Sequence, residues 1–278
     1  MDQRQLPAMP DLPFLSRLRS HEYVALLAGF LFIFFEGALH IVILFLPKLV
    51  INWFYRKSRA LFLHFVRPSS STPEARRLAD RIRKADHFED LCAIFGYYNV
   101  EEHVVLTKDG YLLGIHRIPG PRSEPRPVPG SSTGKPVVYL HHGLLMNSEV
   151  WVCLTSPERS VPFVLAELGY DVWLGNNRGN KYSKKSIHHD PNSLKFWDFS
   201  IDDFAWHDIP DSIEHILQIT RASSLSYVGF SQGTSQAFAA LSIHPQLNQK
   251  VNVFIALAPA MRPRGLSAPL VDGLMKAS

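Results

Sequence analysis

Between residues 137 and 257 short apolar segments alternate with longer amphipathic ones, and this alternation limits the fold more than any other feature of the chain. Val137–His141, Asp171–Leu174, 226–229 and Val251–Leu257 read as strands, and 160–168, 202–220 and Gln232–Ile243 as helices. Strands that alternate with helices build βαβ units, so the expectation is an α/β fold with a mostly parallel sheet covered on both faces. Upstream, 102–106 and Tyr111–Ile118 flank Lys108-Asp109-Gly110, a hairpin turn signal. Six prolines between 119 and 136 mark a surface loop.

On this frame stands Gly229-Phe230-Ser231-Gln232-Gly233. The string G-x-S-x-G is weak alone, but here it follows a short apolar strand and opens an apolar helix. That strand–turn–helix setting defines a nucleophile elbow. The turn should force Ser231 into a strained backbone, and only glycine at 229 and 233 leaves room for strand and helix to pass so closely. The Ser231 hydroxyl then stands at the sheet's C-terminal edge as a nucleophile, and the Gln232 N–H can hold an oxyanion.

A second oxyanion donor should come from the loop after the Val137–His141 strand. His141-His142-Gly143-Leu144-Leu145 lies there, and the Leu144 N–H is the candidate, with Gly143 letting the backbone swing inward. Adjacent residues at a strand end point in opposite directions, which argues against a metal held by His141 and His142. A metal at His188-His189-Asp190 is not expected either, and no H-E-x-x-H is present. Neither a metal nor another cofactor is expected. Aspartate would be wanted at the elbow for epoxide hydrolase or dehalogenase chemistry, and Ser231 argues against it.

Several blocks now carry a family resemblance. They are Phe95-Gly-Tyr-Tyr-Asn-Val-Glu-Glu102 with Thr107-Lys-Asp-Gly-Tyr111, His142-Gly-Leu-Leu145, and Asp171-Val-Trp-Leu-Gly-Asn-Asn-Arg-Gly-Asn180. Phe196-Trp-Asp-Phe-Ser200 through Asp208-Ile-Pro210 and the elbow complete the set. In this order, over about residues 88–262, the chain resembles the acid lipase branch of the α/β-hydrolases. With its basic, apolar N-terminus it resembles most the fungal membrane-anchored steryl ester hydrolases. The resemblance implies an α/β-hydrolase fold and a serine ester hydrolase of neutral lipids, with sterol esters foremost. It implies Ser231 as nucleophile and Leu144 and Gln232 as oxyanion hole. Asn176, Arg178 and Asn180 fall on the family's N-x-R-G-N position, where Arg178 is expected to brace the sheet edge rather than touch substrate.

Residues 23–55 form an apolar run long enough for a bilayer, which needs about 20 residues. It begins too late and runs too long for a cleaved signal peptide. Glu36, Gly37 and His40 interrupt it. Glu36 and His40, four apart, share a helix face and could pair. Alternatively Glu36-Gly37 turns a shallow hairpin. Arg17 and Arg19 before the run and Arg56, Lys57 and Arg59 after it fit a hairpin with both ends cytoplasmic, or a single span.

The charge of the chain belongs to this region. Residues 1–100 hold 13 Lys and Arg against 9 Asp and Glu, whereas 101–278 hold 16 of each. Thr72 should cap a helix with Pro73 first and Glu74 in its first turn. Ala75, Leu78, Ala79 and Ile82 recur along it at helical spacing among cations. This basic helix lies on anionic headgroups or presents a solvated face. No aromatic platform accompanies the charge, so nucleic acid is not an expected partner. The expected division is a membrane anchor over 1–66, a basic connector over 67–87 and a partial hydrolase domain over 88–278. A membrane or lipid-droplet surface is the expected location, with the hydrolase domain cytoplasmic.

Two cysteines, Cys92 and Cys153, exclude a disulfide scaffold and read as small buried hydrophobes. A hydrolase of this fold uses the order Ser, Asp, His. After Ser231 the sequence offers only Asp272 and His244, in the wrong order, and His244 lies ~19 Å of helical rise from Ser231. The expectation is therefore that the fold is incomplete at its C-terminal side, with cap, acid and base absent. The competing expectation is a catalytically inactive membrane-bound protein or scaffold.

Overall fold

Successive side chains of a strand point to opposite faces of its sheet. In β3 (Val137–His141), Val137 and Tyr139 enter one hydrophobic core while Val138 and Leu140 enter another. Both are buried because helices cover both faces, so β3 reads as a continuous apolar run. The computed structural model describes residues 20–45, positions 47, 50, 52–54 and 56–58, and residues 72–260.

The chain divides into two units, 1–71 and 72–278. In the first, α1 (Ser20–Phe45) is one uninterrupted helix of 26 residues. It continues through Glu36 and Gly37, so there is no hairpin turn at that point. One glycine within a helix costs only ~1 kcal/mol, and no proline breaks the run. Side chains are described at Val24 and 26–38, all exposed. Among the described residues no helix is long and apolar enough to cross a membrane. Arg17, Arg19 and Arg59 lie outside the described residues, as does the side chain of His40, so the Glu36–His40 pairing does too.

The second unit begins with α2 (Pro73–Lys84). Thr72 caps it, its Oγ1 accepting from the Ala75 N–H at 3.2 Å, with Pro73 and Glu74 in the first turn as expected. Leu78 and Ile82 turn toward the core of this unit, and the cations face outward. The helix α3 (Phe88–Ile94), which the sequence pattern did not announce, places Phe88, Leu91 and Cys92 in that core.

A hairpin follows, β1 (Glu101–Leu106) and β2 (Tyr111–Ile118), paired antiparallel around Lys108-Asp109-Gly110. Gly110 takes φ 90, the conformation that the turn requires. Then come β3, α4 (Val161–Glu167), β4 (Asp171–Leu174), the short β5 (Lys185–Ser186), α5 (Ile209–Thr220), β6 (Leu225–Phe230), α6 (Gln232–Ile243) and β7 (Val251–Leu257). The sheet order is β1-β2-β4-β3-β6-β7, with β5 beside β2. Strands β4, β3, β6 and β7 run parallel, and the hairpin joins β4 antiparallel. Helices α5 and α6 cover one face, and α3 and α4 the other.

Residues 202–220 are not one uniform helix. A turn at Ile201–Asp203 passes into a π-helical turn, Phe204–Asp208, before α5 begins. Pro210 lacks the N–H that an α-helix would direct at residue 206, and the wider turn absorbs that loss. Cys92 is buried as expected, but Cys153 is exposed. It follows a 3-10 turn, Ser148–Trp151, and its cap Val152, where Trp151 and Val152 take the inward positions.

Candidate active site

Ser231 sits between β6 and α6 with φ 50 and ψ −117, a conformation non-glycine residues rarely adopt. Its N–H donates to the Leu257 carbonyl at 2.9 Å. Its own carbonyl accepts from the Thr234 N–H at 3.0 Å and from the Thr234 hydroxyl at 2.6 Å. These bonds hold the serine on a fixed corner.

The flanking glycines are forced by backbone contact. A β-carbon on Gly229 would meet the Gly233 carbonyl oxygen at 2.8 Å, and one on Gly233 the His141 carbonyl oxygen at 2.6 Å. The elbow is thus where β6, α6 and the end of β3 converge.

Gln232 opens α6, so its N–H is one of the helix's unsatisfied donors. Across from it, β3 ends in a tight turn: the Met146 N–H bonds the Gly143 carbonyl at 3.3 Å, and Leu145 takes φ 57. Within the turn the Leu144 N–H has no backbone acceptor among the described residues. Leu144 and Gln232 both line a cleft of about 620 Å³, whose other walls include Met146, Trp197, Phe199, Ile201 and Phe204. The cleft is predominantly apolar, suited to a substrate with hydrocarbon chains or rings.

His141 and His142 do not point apart. Their rings stack, 5.1 Å between centroids and 15° between planes, because the chain turns out of β3 just there. All four ring nitrogens are nonetheless engaged. The Tyr139 hydroxyl lies 3.0 Å from His141 Nδ1, and Asn177 Oδ1 2.7 Å from Nε2. His142 Nδ1 lies 2.8 Å from the Gly143 carbonyl, and its Nε2 accepts from the Asn177 N–H at 3.1 Å. Burial pushes His141 down to about 3 and His142 to about 4, so both are neutral struts beneath the elbow. His188 and His189 stand edge to face, 6.2 Å apart.

Arg178 makes a clamp. Its Nε donates to Asp208 Oδ1 at 2.8 Å, and its backbone N–H to Asp208 Oδ2 at 3.0 Å. The rest of the guanidinium donates to both Asp109 oxygens, at 2.5 and 3.0 Å, and lies 4.1 Å over the Tyr111 ring. It ties the β1–β2 turn to the strand end and the π turn, which is the bracing the sequence suggested. Asn176 works likewise: its Oδ1 accepts from the Ser148 N–H at 2.9 Å and from Asn180 Nδ2 at 3.0 Å, and its Nδ2 donates to the Gly114 carbonyl at 2.8 Å.

A second buried cation went unread in the sequence. Arg117, next to last in β2, donates to both Asp171 oxygens at 2.8 and 2.6 Å and to Glu101 at 3.0 Å. Alternation with Ile118 would give it a polar face, so the sequence held no signal of its burial. His244 caps the far end of α6, its ring 5.1 Å from that of Trp206. Among the described residues no imidazole is hydrogen-bonded to the Ser231 hydroxyl. Asp272 lies outside the described residues.

A model described as the partial alpha/beta-hydrolase lipase region matches residues 88–155, and one described as the alpha/beta hydrolase fold matches 136–272. A probable lipase of Schizosaccharomyces pombe is 48% identical over 280 residues, 97% of this chain and 57% of that protein. Lipase member K of Homo sapiens is 46% identical over 173 residues, 62% of this chain and 42% of its own length. The gastric triacylglycerol lipase of Rattus norvegicus is 43% identical over 174 residues, again 62% of this chain and 42% of its own length. The chain spans about half the length of the curated relatives it matches.

Proposed function

The chain belongs to the α/β-hydrolases, in the group that carries the lipase region, and on that footing we propose that its protein is a carboxylic ester hydrolase of neutral lipids, with sterol esters as the foremost substrate. The observation that carries the reading is Ser231 on a strained corner beside an apolar cleft. In the reaction, Ser231 Oγ attacks the ester carbonyl and the alcohol leaves. Water then releases the acid from the acyl-serine. The developing oxyanion rests on the Leu144 and Gln232 N–H groups. The serine still needs an imidazole base and an acid partner, for which Ser, Asp, His is the order of this fold.

The protein works at a membrane or lipid-droplet surface, with the first 66 residues as anchor, 67–87 as connector and the hydrolase body on the cytoplasmic side. Supporting this are the apolar run 23–55 and the exposed aromatic side chains of α1, Phe30, Phe32, Phe34 and Phe35 among them. An inactive membrane-bound scaffold is the second reading, favoured by the lack of an imidazole on Ser231 among the described residues.

A fluorophosphonate probe separates the two. The enzyme reading expects labelling of the protein from an intact transcript and none of a Ser231→Ala variant. Equal resistance of both overturns it. Release of fatty acid from cholesteryl oleate in preference to triolein would carry the sterol assignment, and the reverse preference would sink it. Flotation with liposomes, lost on deleting residues 1–66, checks the anchor.

A further inference from the structure

Away from the elbow, three potential metal ligands meet at the seam between α3 and the hairpin. Glu102 and His116 are direct partners across the β1–β2 ladder, so their side chains leave the same face. Glu89 follows Phe88 in α3. One carboxylate oxygen from each glutamate and one imidazole nitrogen all lie within 4.8 Å of one another.

The histidine is what sets this cluster apart from ordinary surface carboxylates. His116 is fully buried, and its Nε2 has no hydrogen-bond partner. The ring is fixed from three sides. Phe88 stacks on it at 4.2 Å, Tyr182 meets it edge-on at 4.5 Å, and Ser148 Oγ lies 2.8 Å from Nδ1. A buried polar atom left without a partner costs about 1–3 kcal/mol, and the two carboxylates grouped with this ring form no ion pair among the described residues. Lys181, Lys184 and Lys185 border the same cleft. Lys181 is committed to Glu149 and the Asp86 carbonyl, and Lys184 lies over the Trp197 ring.

We propose that Glu89, Glu102 and His116 form a binding site for a divalent transition-metal cation of the zinc class, fastening α3 to the β1–β2 hairpin. One imidazole and two carboxylates suit zinc better than magnesium or calcium, which prefer oxygen ligands throughout. Zinc bonds of ~2.0–2.2 Å would draw the ligand atoms closer by an ångström or so. The two glutamates are not fully buried and can supply that movement. Water completes the tetrahedron. Binding selects the tautomer whose proton is on Nδ1 and is donated to Ser148 Oγ, a typical outer-shell arrangement. The other tautomer points an N–H at the carboxylates and takes no cation.

The test is metal titration of the tag-free full chain in detergent after removal of metal by chelator. Zinc is followed by competition with a chromophoric chelator, and Co²⁺ by its visible absorption. The site predicts one equivalent of zinc, tetrahedral Co²⁺ bands and a higher melting temperature with zinc. Glu102→Gln and Glu89→Gln should each weaken zinc at least about tenfold, whereas Ser231→Ala should bind as the parent does. Both glutamates lie at the cleft rim, so their variants should fold. If the parent takes up no zinc, or if both glutamine variants bind as tightly as the parent, the site does not exist.

Discussion

Gly143 and Ser231 lie back to back: a β-carbon built on Gly143 would come 3.1 Å from Cβ of Ser231. The same added atom would lie 3.3 Å from Met146 Sδ and 3.4 Å from the Phe230 ring. Methionine can move aside, but Ser231 is pinned at φ 50 by bonds on both sides. Gly143→Ala should therefore displace the turn that carries the Leu144 N–H. We expect a melting temperature close to the parent's and fluorophosphonate labelling slowed by about tenfold or more, equivalent to ~1.4 kcal/mol in the barrier. Unchanged labelling would show that the turn and the serine are not coupled.

Gly229 and Gly233 differ from Gly143 because their neighbours are backbone atoms. The Gly233 and His141 carbonyl oxygens, at 2.8 and 2.6 Å from the added carbons, cannot rotate out of the way. Gly229→Ala or Gly233→Ala must push β6, α6 and β3 apart. A loss of about 1–3 kcal/mol or more is expected by urea unfolding, with labelling lost as well. A stability within 0.5 kcal/mol of the parent would mean that the elbow is not crowded as described.

This part of the molecule was the most legible in the sequence, because local rules determine it. An apolar strand, G-x-S-x-G and an apolar helix leave one way to turn the chain, and the alternation from Val137 to Leu257 placed the strands. The stacked pair His141–His142 was misread, since strand alternation no longer governs a residue at which the chain leaves the sheet. The π turn at Phe204–Asp208 was hidden within a continuous helical period, and Pro210 was its one trace. Networks such as Arg117–Asp171 and Arg178–Asp109–Asp208 join residues 30 to 69 positions apart. Their charges were visible, but pairing depends on sheet order, which periodicity does not encode.

Arg178 offers a test of the clamp. Its side chain is almost fully buried between Asp208, which is buried too, and the partly buried Asp109. Arg178→Leu strands a carboxylate in the interior, at an expected cost of about 3–5 kcal/mol. Adding Asp208→Leu removes the stranded charge, so the double variant should lose less than the two single losses combined. A double-mutant cycle in urea measures this coupling, and an interaction energy near zero would dissolve the clamp. Arg178→Lys keeps the charge but gives up the forked geometry, so it should recover only part of the loss.

Acid should weaken the fold through the struts beneath the elbow. Folded His141 is held down to about 3 and His142 to about 4 by burial, while the unfolded chain binds a proton at each near the ordinary 6.5. Stability from these two is complete above pH 6.5 and is lost as pH falls toward 4, by about 1.4 kcal/mol per proton per pH unit. Asp208 acts in the opposite sense. Burial outweighs Arg178 and lifts its carboxyl to about 6, so between pH 6 and 3.8 the folded state holds the extra proton there. Two protons against one leave a net loss on the order of 2–3 kcal/mol between pH 6.5 and 5. Urea midpoints at those two pH values measure it. His141→Gln should flatten the slope by roughly one proton if it folds, and a midpoint independent of pH over this window would show that the two imidazoles are not held neutral.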